Sequence, residues 1–195
     1  LISRLDRYIW EQAAAKLGEW KKAGINMSIS VNISPKDFYY IDIFNTFAGL
    51  IKKYDIEPSN LKIEITETTI MSDVPNLMGE LEELRKAGFT LEMDDFGSGY
   101  SSLNTLKDIN VDVLKVDMGF IKETKNVKKS RIILASVIKM AKELNLLIIT
   151  EGVETEEQVD NLTKLGCDVF QGYYFSKAID VNEFEKRYLY RKKAG

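Results

Sequence analysis

Acidic side chains stand at or near the carboxyl ends of most strands that the sequence predicts. They are Glu64, Asp94, Asp95, Asp117 and Glu151, and Asn32 and Gln171 hold equivalent positions as amides. Carboxylates brought together in one place repel one another, and each raises the pKa of the others. A bound divalent cation would remove that conflict, and two would suit consecutive aspartates, where one carboxylate can bridge. The alternative is that each acid caps a helix or is a solvated loop charge.

The residue types that are missing exclude several kinds of catalysis. The 195-residue chain has no histidine, which excludes Ser-His-Asp and Cys-His catalysis and any histidine-ligated metal. Cys167 is the single cysteine, so a disulfide framework and a multi-cysteine metal site are excluded as well. With no histidine to activate it, we interpret Cys167 as a buried packing residue. A metal ion would therefore sit among oxygen ligands, as Mg²⁺, Mn²⁺ and Ca²⁺ do.

Lys115 lies two residues before Asp117 on one predicted strand and has two interpretations. On a barrel strand it could form a Schiff base, as in an aldolase, which requires a lowered pKa. Neighbouring carboxylates raise the pKa instead, which favours an ammonium that binds phosphate or water.

The glycine- and serine-rich loop 97–102 could cradle a phosphate through its backbone N–H groups, or form an ordinary turn.

Strands and helices alternate along the chain, which predicts parallel βα units. The predicted strands are Met27–Ile33, Leu61–Thr66, Phe89–Asp94, Val113–Asp117, Leu146–Thr150 and Asp168–Gln171. The predicted helices are 4–22, 35–54, 73–88, a short helix after 97–102, 127–144, 155–166 and 180–190. In 4–22 and 127–144 the residues expected to face inward are Leu5, Ile9, Ala13, Leu17 and Trp20, and Ile133, Val137, Met140 and Leu144. An open doubly wound sheet and a closed barrel, which needs about eight units, both fit this alternation.

Polar residues on four of the strands fall on one face. Lys115 and Asp117 share such a face, and the strands at 27–33, 61–66 and 89–94 alternate in the same way. Both faces of an open parallel sheet are buried and apolar. A barrel can direct its polar face to a lumen, with a site at the carboxyl ends of its strands. The alternation therefore favours a barrel.

Glu92 adds a charge deeper in this lumen. It shares a face with Asp94 and lies about 6–7 Å below it, which is one pleat of a strand. A carboxylate in a barrel interior needs a partner. Lys62, in the same phase on the neighbouring strand, is the predicted one.

Length and charge narrow the class of protein further. The chain suits a single domain over 1–195, and its 27 basic and 30 acidic residues give a net charge of −3. That balance argues against DNA and anionic membranes as partners. No apolar run reaches the roughly 20 residues of a membrane span, so we expect no direct membrane insertion. The cysteine content fits a reducing cytosol, so we expect a cytoplasmic location.

Six short motifs occur in a fixed order across essentially the whole chain. They are Val31-Asn-Ile-Ser34, Glu64-Ile-Thr-Glu67, Asp94-Asp-Phe-Gly-Ser-Gly-Tyr-Ser-Ser-Leu103, Leu114-Lys-Val-Asp117, Glu151-Gly-Val-Glu-Thr155 and Gln171-Gly-Tyr173. In this combination the chain resembles the EAL domain family of bacterial cyclic di-GMP phosphodiesterases. The resemblance implies an α/β fold, a TIM-like (β/α) barrel with an antiparallel first strand, here incomplete with about six of eight βα units. The implied activity is two-metal hydrolysis of cyclic di-GMP to linear pGpG.

The resemblance also implies a role for each site residue. The metal ligands would be Asn32, Glu64, Asp94 and Asp95, with two Mg²⁺ or Mn²⁺ ions. The catalytic residues would be Lys115, which orients or stabilises the attacking water, Glu151, which joins the metal site through water, and the supporting Asp117 and Gln171. Glu67 would stabilise the loop 95–103, which gates metal binding and forms the face of a homodimer. Substrate and loop contacts would come from Phe96, Gly97, Ser98, Gly99, Tyr100, Ser101 and Glu154.

The chain also departs from the family pattern. The Glu-Ala-Leu stretch that names the family is absent, with its metal-ligating glutamate, so we expect the chain to lack the first two strands of its domain. We expect such a chain alone to be impaired in hydrolysis. Ser98, Glu92 and Ala178 stand where threonine, a small residue and proline are usual. The alternative function is a non-catalytic cyclic di-GMP receptor or regulatory EAL-like module. Upstream sensory or GGDEF domains are the further partners that the resemblance suggests.

Overall fold

The computed structural model of the protein describes residues 2–97, 102–117, 119, 127–167 and 169–190. The strands are β1 (Ile29–Asn32), β2 (Leu61–Thr66), β3 (Leu91–Phe96), β4 (Val113–Asp117), β5 (Leu147–Glu151) and β6 (Val169–Phe170). The helices described are α1 (Ile2–Lys22), α2 (Pro35–Tyr40), α3 (Ile43–Tyr54), α4 (Glu67–Ile70), α5 (Leu77–Lys86), α6 (Ser102–Asp108), α7 (Val127–Glu143), α8 (Glu156–Leu165) and α9 (Val181–Phe184). A 3₁₀ turn (Pro58–Asn60) precedes β2, and a π-helical turn (Glu185–Leu189) follows α9.

The strands form one parallel sheet whose spatial order is the order of the chain, β1 to β6. Doubly wound sheets reverse their strand order at a switch point, whereas barrels keep it sequential. The sheet is also curved. The Ser30 hydroxyl on β1 lies 2.9 Å from the Glu92 carboxylate on β3, across β2. Strands two apart are about 10 Å from each other, so side chains this short meet only on a concave face. The strands therefore form a half-barrel.

The convex side of the half-barrel packs against the helices and forms the hydrophobic core. Ile63, Ile65, Leu91, Met93 and Leu114, which alternate with the polar residues along β2, β3 and β4, are all fully buried. The predicted division into an apolar and a polar face is confirmed for these three strands.

The predicted helix over 35–54 is wrong, because the chain forms two helices there. Helix α2 ends at Tyr40, and Asp42 caps the start of α3 by accepting a hydrogen bond from the Asn45 N–H at 3.0 Å. A second capping residue starts a helix that the pattern did not predict. The Thr66 hydroxyl accepts from the Thr69 N–H and begins α4 directly after β2. In both places a local side-chain hydrogen bond satisfies a helical N–H and sets the boundary.

The inward faces predicted for two helices are partly wrong. In α1, Leu17 and Trp20 are buried as predicted, but Leu5 and Ile9 are 57% and 46% exposed. In α7, Ile133 is 47% exposed, and Leu144 just beyond the helix is 53% exposed. The apolar residues of each helix cover a wide arc, and packing buries a stripe about one residue further on. That stripe contains Trp10 and Ala14 in α1, and Leu134, Ile138 and Ala141 in α7.

Two further boundaries were tested by the structure. Helix α5 begins at Leu77 rather than near Asp73, after Asn76 adopts a left-handed conformation with φ 55°. The predicted start of the helix at 155 is close to the observed one, where Thr155 caps α8 and forms a capping box with Gln158. No helix in the described ranges combines the length and the apolar character that crossing a bilayer requires.

Candidate functional site

Lys115 lies at the centre of a cluster of charges on the concave face. Its Nζ is 2.7 Å from Oε1 of Glu64, 3.2 Å from Oδ1 of Asp94 and 3.0 Å from Oε1 of Glu151. These residues come from four adjacent strands, β2 to β5, and each stands at or near its strand's carboxyl end. The Lys115 side chain is only 5% exposed, so one buried ammonium holds three carboxylates together.

The charges of the cluster change the protonation equilibria of its members. Burial lowers the pKa of Lys115, but its hydrogen bonds to Glu64 and Glu151 outweigh that effect and leave the pKa above its ordinary value. Burial raises the pKa of Glu151 to about 7, and the negative charge of Asp94 contributes. Burial also raises the pKa of Glu64, with Lys115 opposing the shift. A lysine that stays protonated cannot act as the Schiff-base nucleophile of an aldolase, so the structure disfavours that interpretation.

Asn32 joins the cluster from β1. Its Nδ2 donates to Oε2 of Glu64 at 3.0 Å, so both oxygens of that carboxylate are engaged. The backbone carbonyl of Asn32 accepts a hydrogen bond from Nε1 of Trp10 at 3.0 Å. Trp10 is 1% exposed and packs on Phe47, with ring centroids 5.0 Å apart. Sequence reasoning missed this anchor of the β1 end, because helix periodicity does not show which tryptophan faces a particular strand.

Asp95 and Asp117 lie at the exposed rim of the cluster. Asp95 has a positive φ of 55°, and its N–H donates to Oδ1 of Asp94 at 2.9 Å. Burial raises the pKa of Asp95, and the charges of Asp94 and Asp117 add to the shift. Asp117 lies opposite Glu151 in the β4–β5 register, and its Oδ1 accepts from the Gly119 N–H at 2.6 Å. These two residues therefore add negative charge beside the central cluster.

Gln171 is held by backbone hydrogen bonds just after β6, and Glu67 by its position at the start of α4. The Gln171 backbone follows β6, donating to the Thr150 carbonyl at 2.8 Å and accepting from the Val153 N–H at 3.1 Å. That pairing holds Gln171 beside the segment that carries Glu151. Glu67 is 2% exposed and is the first residue of α4. The roles of both residues stay predictions.

The loop after β3 is described only in part. Phe96 is buried in the hydrophobic core, and Gly97 has φ 98°. Ser98, Gly99, Tyr100 and Ser101, which we assigned to loop and substrate contacts, lie outside the described residues. The Glu154 N–H donates to Oε1 of Gln158 at 2.7 Å, at the start of α8. The role assigned to Phe96 in the loop stays a prediction.

A second polar layer lies beneath the cluster. Nζ of Lys62 is 3.1 Å from Oε1 of Glu92, whose side chain is 1% exposed, so the predicted pair is confirmed. Ser30 donates to the other carboxylate oxygen, Oε2, at 2.9 Å. The lumen therefore carries buried charge at two depths.

The side chains of this cluster could bind both a phosphate and a divalent cation. An ammonium fixed among oxygens can stabilise negative charge on a phosphate, and a carboxylate that titrates near neutral pH can accept a proton. The oxygens of Asn32, Glu64, Asp94 and Asp95 are ligands that Mg²⁺ and Mn²⁺ prefer. In the described ranges no three acids surround an open cation position, which agrees with Lys115 lying at the point where the acids converge.

Comparison with known proteins gives a consistent family. The family model described as EAL domain matches residues 1–178. The signaling protein YkoW of Bacillus subtilis is 34% identical over 186 residues, covering 95% of this chain and 23% of its own length. The bifunctional diguanylate cyclase/cyclic di-GMP phosphodiesterase MucR of Pseudomonas aeruginosa is 33% identical over 184 residues, covering 94% and 27%. The cyclic di-GMP phosphodiesterase PdeR of Escherichia coli is 30% identical over 194 residues, covering 98% and 29%. The chain thus spans about a quarter of the length of these relatives.

Solved structures share the fold. The MucR phosphodiesterase in complex with c-di-GMP matches with a TM-score of 0.86 at 33% identity, covering 94% of this chain and 75% of that one. The EAL domain of Mycobacterium smegmatis DcpA matches with a TM-score of 0.85 at 31% identity, covering 95% and 84%. Klebsiella pneumoniae BlrP1 with manganese and cyclic di-GMP matches with a TM-score of 0.78 at 29% identity, covering 90% and 44%. The half-barrel is therefore part of a TIM-like barrel, and this chain belongs to the EAL domain family.

Proposed function

We propose that this chain provides the hydrolytic site of a metal-dependent cyclic di-GMP phosphodiesterase that produces linear pGpG. The observation that carries the proposal is the buried ammonium of Lys115 held by Glu64, Asp94 and Glu151 at the carboxyl ends of four strands. The relatives support the choice of substrate, since PdeR is named a cyclic di-GMP phosphodiesterase and the MucR structure is a c-di-GMP complex.

The chemistry of the donor set fits divalent cations. Asn32, Glu64, Asp94 and Asp95 offer only oxygen ligands, and the first three lie on neighbouring strands. Burial raises the pKa values of Glu64 and Asp95, and the neighbouring acids add to both shifts because like charges repel. These four residues would hold the cations, two in our proposal. When bound, the cations supply neutralisation of phosphate charge and activation of the attacking water.

The remaining residues act on phosphate, water and protons. Lys115 keeps its proton, and its charge stabilises the attacking water or a phosphate oxygen; a hydrogen bond to either replaces one of its three carboxylate contacts. The pKa of Glu151, about 7, suits it to accept a proton from that water near neutral pH. The water oxygen bonds to one phosphorus as the opposite P–O bond breaks, and the proton taken from the water is returned to the leaving ribose oxygen as a hydroxyl, so the cyclic dinucleotide opens to linear pGpG. Asp117 and Gln171 would support this arrangement from the ends of β4 and β6.

Turnover of cyclic di-GMP by the full-length protein in Mg²⁺ or Mn²⁺ tests the proposal, with pGpG quantified by chromatography. Lys115→Met is expected to reduce turnover at least ~100-fold, the scale on which one key electrostatic group acts. Lys139→Met is the matched control, because that lysine is 79% exposed on α7. Equal turnover in the two variants would contradict the assignment of Lys115.

The same assay separates hydrolysis from the alternative function. A wild-type protein that binds cyclic di-GMP without converting it would be a receptor or a regulatory module. A protein that neither binds nor converts cyclic di-GMP would contradict both functions.

We extend the proposal to the assembly. The relatives are several times longer than this chain, and MucR is named as bifunctional with a diguanylate cyclase, which supports sensory or GGDEF domains upstream. The resemblance also supports a homodimer through the face of the loop 95–103. Sedimentation of the full-length protein tests the dimer, and a monomer at micromolar concentration would contradict it.

A further inference from the structure

The layer beneath the site connects the strands that carry the proposed cation ligands. Ser30, Lys62 and Glu92 stand on β1, β2 and β3, each two residues before Asn32, Glu64 and Asp94 respectively. In the sheet register, Ser30 lies opposite Lys62, and Glu64 lies opposite Glu92. Two residues along a strand correspond to about 6–7 Å, so the lower layer repeats the upper one at the next pleat down.

One carboxylate joins all three strands. Glu92 Oε1 accepts from Lys62 at 3.1 Å on the adjacent strand, and Oε2 accepts from Ser30 at 2.9 Å on the strand beyond it. With a side chain 1% exposed, Glu92 depends on both contacts, because an unpartnered buried carboxylate is costly. Both oxygens of the carboxylate are therefore engaged, one by each neighbouring strand side chain.

The contacts of Glu92 with Lys62 and with Ser30 have different structural effects. The ladder of backbone hydrogen bonds already sets the spacing of adjacent strands, so the Lys62 contact mainly neutralises charge. Strands β1 and β3 share no backbone hydrogen bonds, and their approach depends on how strongly the sheet curves. The Ser30–Glu92 hydrogen bond spans that gap directly. It thereby restricts the distance between Asn32 and Asp94, which stand on the same two strands one pleat above.

We propose that Glu92 is a positioning residue, which through Ser30 sets the curvature of β1–β3 and so the separation of the oxygens of Asn32, Glu64 and Asp94. The proposal rests on the proposed function only in taking these three residues as cation ligands. A purely stabilising ion pair would need the Lys62 contact alone, whereas positioning needs the reach of Glu92 to β1. Variants that keep the charge and shorten the reach therefore separate the two roles.

The test measures Mn²⁺ affinity of the full-length protein by the EPR signal of free Mn²⁺, with no substrate present. Ser30→Ala removes the β1 contact, and Glu92→Asp keeps the charge but shortens the side chain by one methylene. Both are expected to weaken Mn²⁺ binding about 5- to 10-fold, while Ser30→Thr, which retains the hydroxyl, is expected to stay within about twofold of wild type. Ser136→Ala is the matched control, because its hydroxyl donates to the Ile132 carbonyl on the exposed face of α7.

Melting temperatures in EDTA accompany each affinity. Ser30→Ala is expected to melt within a few degrees of wild type, because the Lys62–Glu92 pair remains. Wild-type affinity in both Ser30→Ala and Glu92→Asp would overturn the positioning role, even in a protein that hydrolyses cyclic di-GMP. Weakened Mn²⁺ binding in both variants would support it, even in a protein with no hydrolysis, so the two proposals fail separately. A wild-type protein that binds no Mn²⁺ would overturn the positioning role together with the cation site.

Discussion

Replacing Lys115 with methionine tests whether its ammonium holds the three acids together. Methionine has nearly the same length and no charge, so the change removes the cation and keeps most of the packing. Glu64, Asp94 and Glu151 would then face one another at positions that now lie 2.7 to 3.2 Å from Nζ. Removing one partner from a buried charge network costs about 3–5 kcal/mol. We expect a loss of that size in the free energy of unfolding at pH 7.5.

The loss is expected to depend on pH with a definite sign. Glu64 and Glu151 have pKa values in the folded protein above the ordinary 4.5. Without the ammonium their pKa values rise further, so the folded variant binds protons that the unfolded chain has released. An acid with a raised folded pKa destabilises progressively as pH rises through that window. The cost of Lys115→Met should therefore be smaller at pH 5 than at pH 7.5.

Urea denaturation in EDTA at both pH values measures this difference. Lys139→Met serves again as control and should change the free energy of unfolding by less than about 0.5 kcal/mol, as exposed substitutions do. A loss of the same size at pH 5 and pH 7.5 would show that the cost comes from packing rather than charge. A loss below about 1 kcal/mol at pH 7.5 would refute the idea that Lys115 neutralises the cluster.

Four further substitutions have expected outcomes in the same denaturation assay. Burial raises the pKa of Glu151 to about 7, so wild-type stability in EDTA should fall as pH rises from 5 to 7, and Glu151→Gln should flatten that decline. A Cβ on Gly172 would lie 2.1 to 2.7 Å from backbone atoms, so Gly172→Ala should lower the free energy of unfolding by about 3 kcal/mol or more. Gly49 lies inside α3 with open space around it, so Gly49→Ala should raise the free energy of unfolding by about 0.5–1 kcal/mol. Burial and the nearby Asp37 raise the pKa of Asp6, and Oδ1 of the fully buried Asp37 lacks a hydrogen-bond donor among the described residues. Asp6→Asn supplies an N–H there and should stabilise by about 1 kcal/mol at pH 7, with no gain refuting the contact.

The sequence by itself determined which side chains share a face of each strand. Side chains alternate along a strand with a period of two, so the phase of Lys115 with Asp117, and of Glu92 with Asp94, follows from counting residues. The same counting predicted the Lys62–Glu92 pair, because a charge on the lumen face of one strand requires a partner on the next. The motifs were also sufficient to indicate the family, which the comparison confirmed over residues 1–178.

The tertiary structure alone decided what depends on contacts between distant segments. The apolar arcs of α1 and α7 are wide, so each helix could pack on the sheet in several rotations about its axis. In α1 the rotation adopted is the one that packs Trp10 against Phe47. Sheet curvature is likewise absent from any single strand, yet it brings Ser30 to Glu92 across β2 and gathers three acids around one ammonium. Local periodicity specifies which face of a strand or helix a side chain occupies. The distance between two elements is set instead by the packing of the whole core.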